Sequence, residues 1–96
     1  MIVRKLIKQR IKEECVDEYL EAHNNIWAEL VAEYNAGGIT QCSCFLDMLD
    51  LYVLIEYDDS KQIANNIDPK WQEYMNTLKD ITVETIDINE IFRMEI

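Results

Sequence analysis

"ITQCSCFLDMLDLYVLIEYD", residues 39–58, holds two strand-like runs with almost nothing between them. Rich in β-branched and aromatic residues, they read as strands over 39–46 and 51–58, joined by the short turn Asp47–Asp50. So short a link makes them an antiparallel hairpin. Working outward, "MIVRKLIKQRI" places Val3, Ile7 and Ile11 on one parity with Lys8 and Arg10 on the other, which predicts a strand over 2–11. Between it and the hairpin, residues 14–36 carry Val16, Tyr19, Leu20, His23, Trp27, Leu30, Val31 and Tyr34 at helical spacing. Glu13, Glu14 and Asp17 suit the positive end of that helix, and Gly37-Gly38 supplies a left-handed stop. Beyond the hairpin, "DSKQIANNI" offers a short helix. Asp68 as N-cap and Pro69 at the first helical position then start another over 69–79, with Trp71, Tyr74, Met75 and Leu78 on one face. "INEIFRMEI" reads as a last strand.

The order β-α-β-β-α-β predicts an α+β fold, a ferredoxin-like sandwich with helices on one face of a four-stranded antiparallel sheet. The other face is then bare, and small proteins of this layout commonly pair two such sheets into a dimeric α+β barrel. A homodimer is therefore expected. Phe45 and Ile39, opposite in parity to Cys42 and Cys44, are expected on the face that the partner covers.

Composition narrows the function. A chain of 96 residues suits a single domain, 1–96. It buries only about 60–65% of its unfolded surface, a thin core that a second subunit would supplement. With 19 acidic residues against 9 basic, the net charge is −10. Nucleic acid and anionic membranes need clustered Lys and Arg, so both are poor partners, whereas a small neutral molecule fits. The N-terminus has no uninterrupted apolar run, which argues against a signal peptide or a membrane span. Cys15, Cys42 and Cys44 make an odd set without framework spacing, as expected of reduced thiols in a cytoplasmic protein.

His23 is the only histidine, and it interrupts an apolar stripe where leucine would pack better. Tyr19 precedes it by four residues and Trp27 follows by four, so the three share one helical face. The ring is either a hydrogen-bonded core histidine or an imidazole lining a pocket, and periodicity does not choose. Cys42 and Cys44 face one side of a strand. With His23 they would make three zinc ligands, yet the chain has no CxxC and no second histidine, so small buried thiols are the simpler reading. Trp71 is either a core anchor or a platform for the apolar face of a sugar. Two glycines build no phosphate loop, and no Ser–His–acid pattern is present.

"EYLEAHNNIWAEL", residues 18–30, resembles the "HNPIWPEL" segment of the L-rhamnose mutarotase family, with its tyrosine four residues before the histidine. "KWQEYM", residues 70–75, is similar to that family's "RWWKYM"-type helix, and "FLD", "EIF" and the overall length also line up. The resemblance implies a dimeric α+β barrel that interconverts the α and β anomers of L-rhamnose, with His23 as proton donor. It also implies that Tyr19 and the Trp71-Gln72 pair contact the sugar. Asn25 and Ala28 stand where the family has prolines, so a straighter helix is expected. Gln72 replaces the second tryptophan of its Trp-Trp pair, and Cys42 stands where a tyrosine commonly reaches the substrate. Cys42 and Gln72 are therefore expected to tune sugar choice.

The chemistry suits the residue. Opening a cyclic hemiacetal moves one proton to the ring oxygen and another off the anomeric hydroxyl. Imidazole, with a reference pKa of about 6.5, gives and takes protons near neutrality. No cofactor is called for. Two other classes share the architecture: a small dimeric-barrel monooxygenase with His23 as a haem ligand, and a non-catalytic ligand-binding dimer. Haem propionates want basic partners that this acidic chain supplies poorly.

Overall fold

The computed structural model describes residues 1–61 and 69–96. Strands β1 (Ile2–Arg10), β2 (Ile39–Asp47), β3 (Asp50–Asp58) and β4 (Ile86–Ile88) form one sheet in the order β2-β3-β1-β4, antiparallel throughout. Helices α1 (Val16–Asn24), α2 (Ala28–Ala36) and α3 (Pro69–Leu78) complete the described elements, with a 3-10 turn at Glu13–Cys15 leading into α1. This is the ferredoxin-like topology. The hairpin closes through Met48-Leu49, with Met48 in the left-handed region at φ 55°, and runs in register from Asp47↔Asp50 to Cys42↔Ile55. β1 lies against β3 along its whole length, from Ile2↔Asp58 to Arg10↔Asp50.

The core sits between sheet and helices. Ile11, Tyr19, Leu30, Leu51, Trp71, Met75 and Leu78 are buried, with Leu46 and Val53 packed against them. Odd positions of β1 and β3 thus face the helices, the pleat alternation delivering the parity that Val3, Ile7 and Ile11 announce. Ile11 bridges Lys79, and the Lys12 N–H donates to Leu78 O at 3.0 Å, tying the end of α3 to the end of β1. Gly38 ends α2 at φ +90°, where an added Cβ would meet Lys61 Cβ at 2.8 Å.

Four expectations need revision or fall outside the described residues. The helix expected over 14–36 breaks in two, although no proline is present. Asn25 leaves helical geometry (φ −122°, ψ 53°), and its Nδ2 donates to Glu21 O at 3.2 Å and to Glu21 Oε1 at 2.9 Å. An asparagine amide competing for helix carbonyls ends α1 much as proline would. Trp27 is extended (ψ 130°), and its carbonyl restarts the helix by accepting from Leu30 and Val31. Ile39 does not lie on the open sheet face. A bulge between Ile39 and Gln41 inserts Thr40, so Ile39 pairs with Tyr57 and turns toward the helices. The last strand is shorter and earlier than 88–96: only Ile86–Ile88 pairs with β1. Beyond Ile88 the chain leaves the ladder, and there Arg93 holds Glu90 through two bonds of 2.7 and 2.9 Å while Arg4 reaches it at 3.9 Å. The short helix expected in "DSKQIANNI" and the Asp68 cap lie outside the described residues.

The sheet's other face carries Leu6, Phe45, Tyr52, Leu54 and Ile88 around a shallow cavity of about 570 Å³, bordered by Arg4, Glu90, Phe92 and Arg93. Ile91, Phe92, Met94 and Ile96 are exposed.

Candidate active site

A second cavity, of about 830 Å³, opens between the helices and β2. His23 from α1, Leu30, Val31 and Tyr34 from α2, Ile39, Cys42 and Cys44 from β2, and Trp71 from α3 line it. Its size suits a small ligand, and its mixture of apolar wall and few polar tips is the usual composition of such sites.

Local geometry explains the histidine in the apolar stripe. Nδ1 of His23 lies 2.9 Å from Tyr19 O, one helical turn back. A carbonyl only accepts, so Nδ1 carries the proton and donates, leaving Nε2 for the cavity side. The Tyr19 ring stacks on the imidazole at 4.3 Å and 29°, and Trp71 meets it edge-on at 5.4 Å and 70°. Trp27, swung across by the break between α1 and α2, packs edge-on against Trp71 at 5.1 Å. The ring is held on two sides, and with Nδ1 taken by the carbonyl, Nε2 is the nitrogen that both the cavity and the Cys44 sulfur can reach.

Cys42 and Cys44 both reach the surface of the cavity. Hydrogen bonding from Cys42 lowers the Cys44 pKa most. Burial opposes it, and His23 and Tyr19 add to the lowering, which brings the thiol down to about 4. Cys42, as the donor in that pair, is pushed up instead. Burial alone would lower His23, but the Cys44 contact and the Tyr19 carbonyl outweigh it and raise its pKa above 6.5. Tyr34 is pushed up to about 12, by burial first and then by the two thiols. Lys79 is lowered by burial and partly restored by Cys44 and Cys42.

The expected site residues divide. His23, Cys42 and Trp71 line one cavity. Tyr19 is buried at 4% exposure behind His23, off the cavity wall. Gln72 also lies off the wall, its Nε2 donating to Asn76 Oδ1 at 3.0 Å. Trp71 is both things the sequence allowed, a core residue at 5% exposure and a cavity wall. Among the described residues, no three His, Cys, Asp or Glu side chains are arranged to hold a metal ion. Sequence reasoning did not place Tyr34 or Lys79 at the site. Lys79 follows Met75 by four residues and Trp71 by eight, so the spacing that found α3's inner face also reaches it.

Comparison with known proteins identifies the family. The family model for L-rhamnose mutarotase matches residues 4–94. An L-rhamnose mutarotase of Oceanobacillus iheyensis is 36% identical over 89 residues, covering 82% of this chain and 86% of that protein. One of Shouchella clausii is 29% identical over 101 residues, covering 95% and 97%. The crystal structure of an L-rhamnose mutarotase from Formosa agariphila superposes with a TM-score of 0.78 at 23% identity, over 97% of this chain and 99% of that one, a likeness of fold. The chain belongs to the L-rhamnose mutarotase family, and so to the isomerases that act on carbohydrates.

Proposed function

We propose that the chain, acting as one domain and without a cofactor, interconverts the α and β anomers of L-rhamnose or a related 6-deoxy sugar, with His23 moving the proton at the ring oxygen. The reaction opens the hemiacetal, lets the exposed carbonyl carbon rotate, and recloses it on the other face. Only protons move. The observation that carries the reading is the fixed tautomer of His23: Nδ1 is committed to the Tyr19 carbonyl, so Nε2 is the nitrogen left to serve a ligand in a cavity walled by Trp71. The upward shift, from the Cys44 contact and the Tyr19 carbonyl against burial, favours the protonated ring, the form that donates to an ether oxygen. Trp71 offers an apolar flank to the sugar's C–H face.

The test is anomer exchange on L-rhamnose, followed by saturation-difference NMR. His23→Asn keeps an N–H able to donate to the Tyr19 carbonyl but has no titrating ring, so the protein should stay folded while exchange falls to the uncatalysed rate. Full exchange in the folded variant would remove His23 from the mechanism.

The same reading takes the open sheet face as the homodimer surface. Leu6, Phe45, Tyr52, Leu54 and Ile88 present an apolar patch, and the Arg4–Glu56 pair at 3.1 Å and the Lys8–Asp50 pair at 4.0 Å border it. An apolar centre with a charged rim is how a second copy is recognised.

A further inference from the structure

We propose that Cys44 is the second proton-transfer group of this site, its sulfur serving the anomeric hydroxyl while the His23 ring serves the ring oxygen. The proposal rests on the anomer-exchange reading above and names a group for its unassigned half. Opening a hemiacetal needs two proton transfers, and one imidazole nitrogen is committed to a backbone carbonyl. A partner must therefore come from elsewhere in the cavity. The chain has 19 acidic residues, yet among the described residues none lines the cavity. Asn35, Thr40 and Gln41 also line it but do not titrate near neutrality, so the candidates for a proton acceptor are Tyr34, Cys42 and Cys44. Tyr34 holds its proton too tightly to serve as a base near neutrality, and Cys42 is the donor toward Cys44.

Cys44 is placed differently. Its sulfur lies within hydrogen-bonding reach of three donors: the Cys42 thiol, the His23 ring and the Tyr19 hydroxyl. Those donors come from β2 and from α1, and Lys79, just beyond α3, adds its positive charge to the same region. Donors converging on one atom stabilise charge on it. The groups facing the pair are thus Tyr19, Tyr34, Cys42 and Lys79. Both Cys44 and His23 open into the cavity, so a ligand there reaches both.

The proton balance closes. In opening, the Cys44 thiolate takes the proton of the anomeric hydroxyl, the C–O bond to the ring oxygen breaks, and a carbonyl forms at the anomeric carbon. His23 Nε2–H gives its proton to the departing ring oxygen. After rotation the sugar hydroxyl attacks the carbonyl from the other face. His23 recovers its proton from that hydroxyl, and the Cys44 thiol returns the other to the carbonyl oxygen. The protein ends as it began, and neither an alkoxide nor an oxonium ion is left stranded in a partly apolar cavity.

The experiment uses the full chain. Exchange on L-rhamnose is measured by NMR for wild type, Cys44→Ala, Cys44→Ser and His23→Asn, with thiolate absorbance at 240 nm titrated for each. Both Cys44 variants should lose roughly 10²-fold in kcat with KM nearly unchanged, in the range of one acid–base group. The acid limb of the pH profile should flatten, and His23→Asn should shift the thiolate titration upward. Should the Cys44 variants fail to fold, methyl methanethiosulfonate on folded wild type replaces them. Mass mapping should place the adduct on Cys44, with exchange lost and then restored by dithiothreitol. Wild-type kcat in Cys44→Ala, or in protein blocked at Cys44, overturns the proposal. If His23→Asn is inactive in the same series, the reading of His23 still stands. Full activity in both variants removes both.

Discussion

Replacing Tyr19 by phenylalanine removes a single oxygen, and its effect separates two roles for that residue. The ring is buried at 4% exposure and stacks on His23 at 4.3 Å; both features survive the change. Stability should therefore move by no more than about 1 kcal/mol. The hydroxyl is one of three groups within reach of the Cys44 sulfur. A hydrogen bond to a charged group is worth roughly 1.5–3 kcal/mol, but this sulfur opens onto a solvent-accessible cavity, which reduces the figure to about 1 kcal/mol. At 1.36 kcal/mol per pKa unit, the Cys44 pKa should rise by somewhat less than one. Thiolate absorbance reads that change directly, and steady-state kinetics on L-rhamnose supplies KM beside it. KM should stay within about twofold, because a residue off the cavity wall makes no direct contact with the sugar. A tenfold rise in KM with an unmoved thiolate titration would show that the phenol reaches the substrate, as the family resemblance implies, and the reasoning from burial would be wrong.

Other changes probe the rest of the architecture. Leu30→Ala empties a buried site at 2% exposure and should cost about 2–5 kcal/mol in denaturant unfolding; a cost below 1 would mean the site collapses or is not core. Ala28→Pro places proline at the first position of α2, where φ and the missing N–H are both tolerated. It should be neutral or stabilising by up to about 1 kcal/mol, whereas a continuous helix through 25–27 would lose about 3. Leu54→Arg puts a charge in the middle of the open sheet face, and sedimentation should show the proposed homodimer giving way to monomer at micromolar concentration; a dimer unchanged from wild type would move the interface elsewhere, and a monomeric wild type would remove it. Cys42→Tyr adds a phenol to the cavity wall and should alter KM across a panel of deoxy sugars, while Gln72→Trp, facing away, should leave the ranking of sugars intact.

The elements that depend on local pattern were legible in the sequence. The hairpin, the α3 face and the parity of β1 follow from periodicities of two and 3.6 residues, and each positions cavity or core residues where expected. Asn25 shows where pattern reading stops. The apolar spacing of His23, Trp27 and Leu30 runs straight through the break, and only the side-chain bonds back to Glu21 reveal it. Ile39 was misplaced because a single inserted residue, Thr40, resets parity without changing composition. "INEIFRMEI" reads like a strand, but only its first residue, Ile88, pairs with β1, and the pattern alone does not register where pairing stops. At the site, His23 stands out in the sequence by its rarity and its aromatic neighbours, and the structure places it on the cavity wall. The Cys44 pairing could not be read from the sequence: it depends on which residues of α1 and β2 are brought to one side of the sheet, 21 positions apart in the chain.

The bulge at Thr40 bears on how this protein tolerates heritable length change. Insertions and deletions are usually absorbed at loop tips, and residue 40 sits four positions past the end of α2, where such tolerance would be assumed. Here the downstream strand is pinned to β3 from Gln41 onward, while Ile39 is pinned to Tyr57. Thr40 is the extra residue of the bulge, so removing it leaves Ile39 opposite Tyr57 and Gln41 opposite Glu56, one residue against one, and the ladder closes without a slip. Cys42 and Cys44 then keep Ile55 and Val53 as partners, and with them their side of the sheet. Ser43 is different: its removal makes Cys42 and Cys44 neighbours, and neighbours in a strand face opposite sides. A gap at position 40 in a lineage of such proteins would therefore leave the cavity wall intact, whereas one at position 43 would split its pair of thiols.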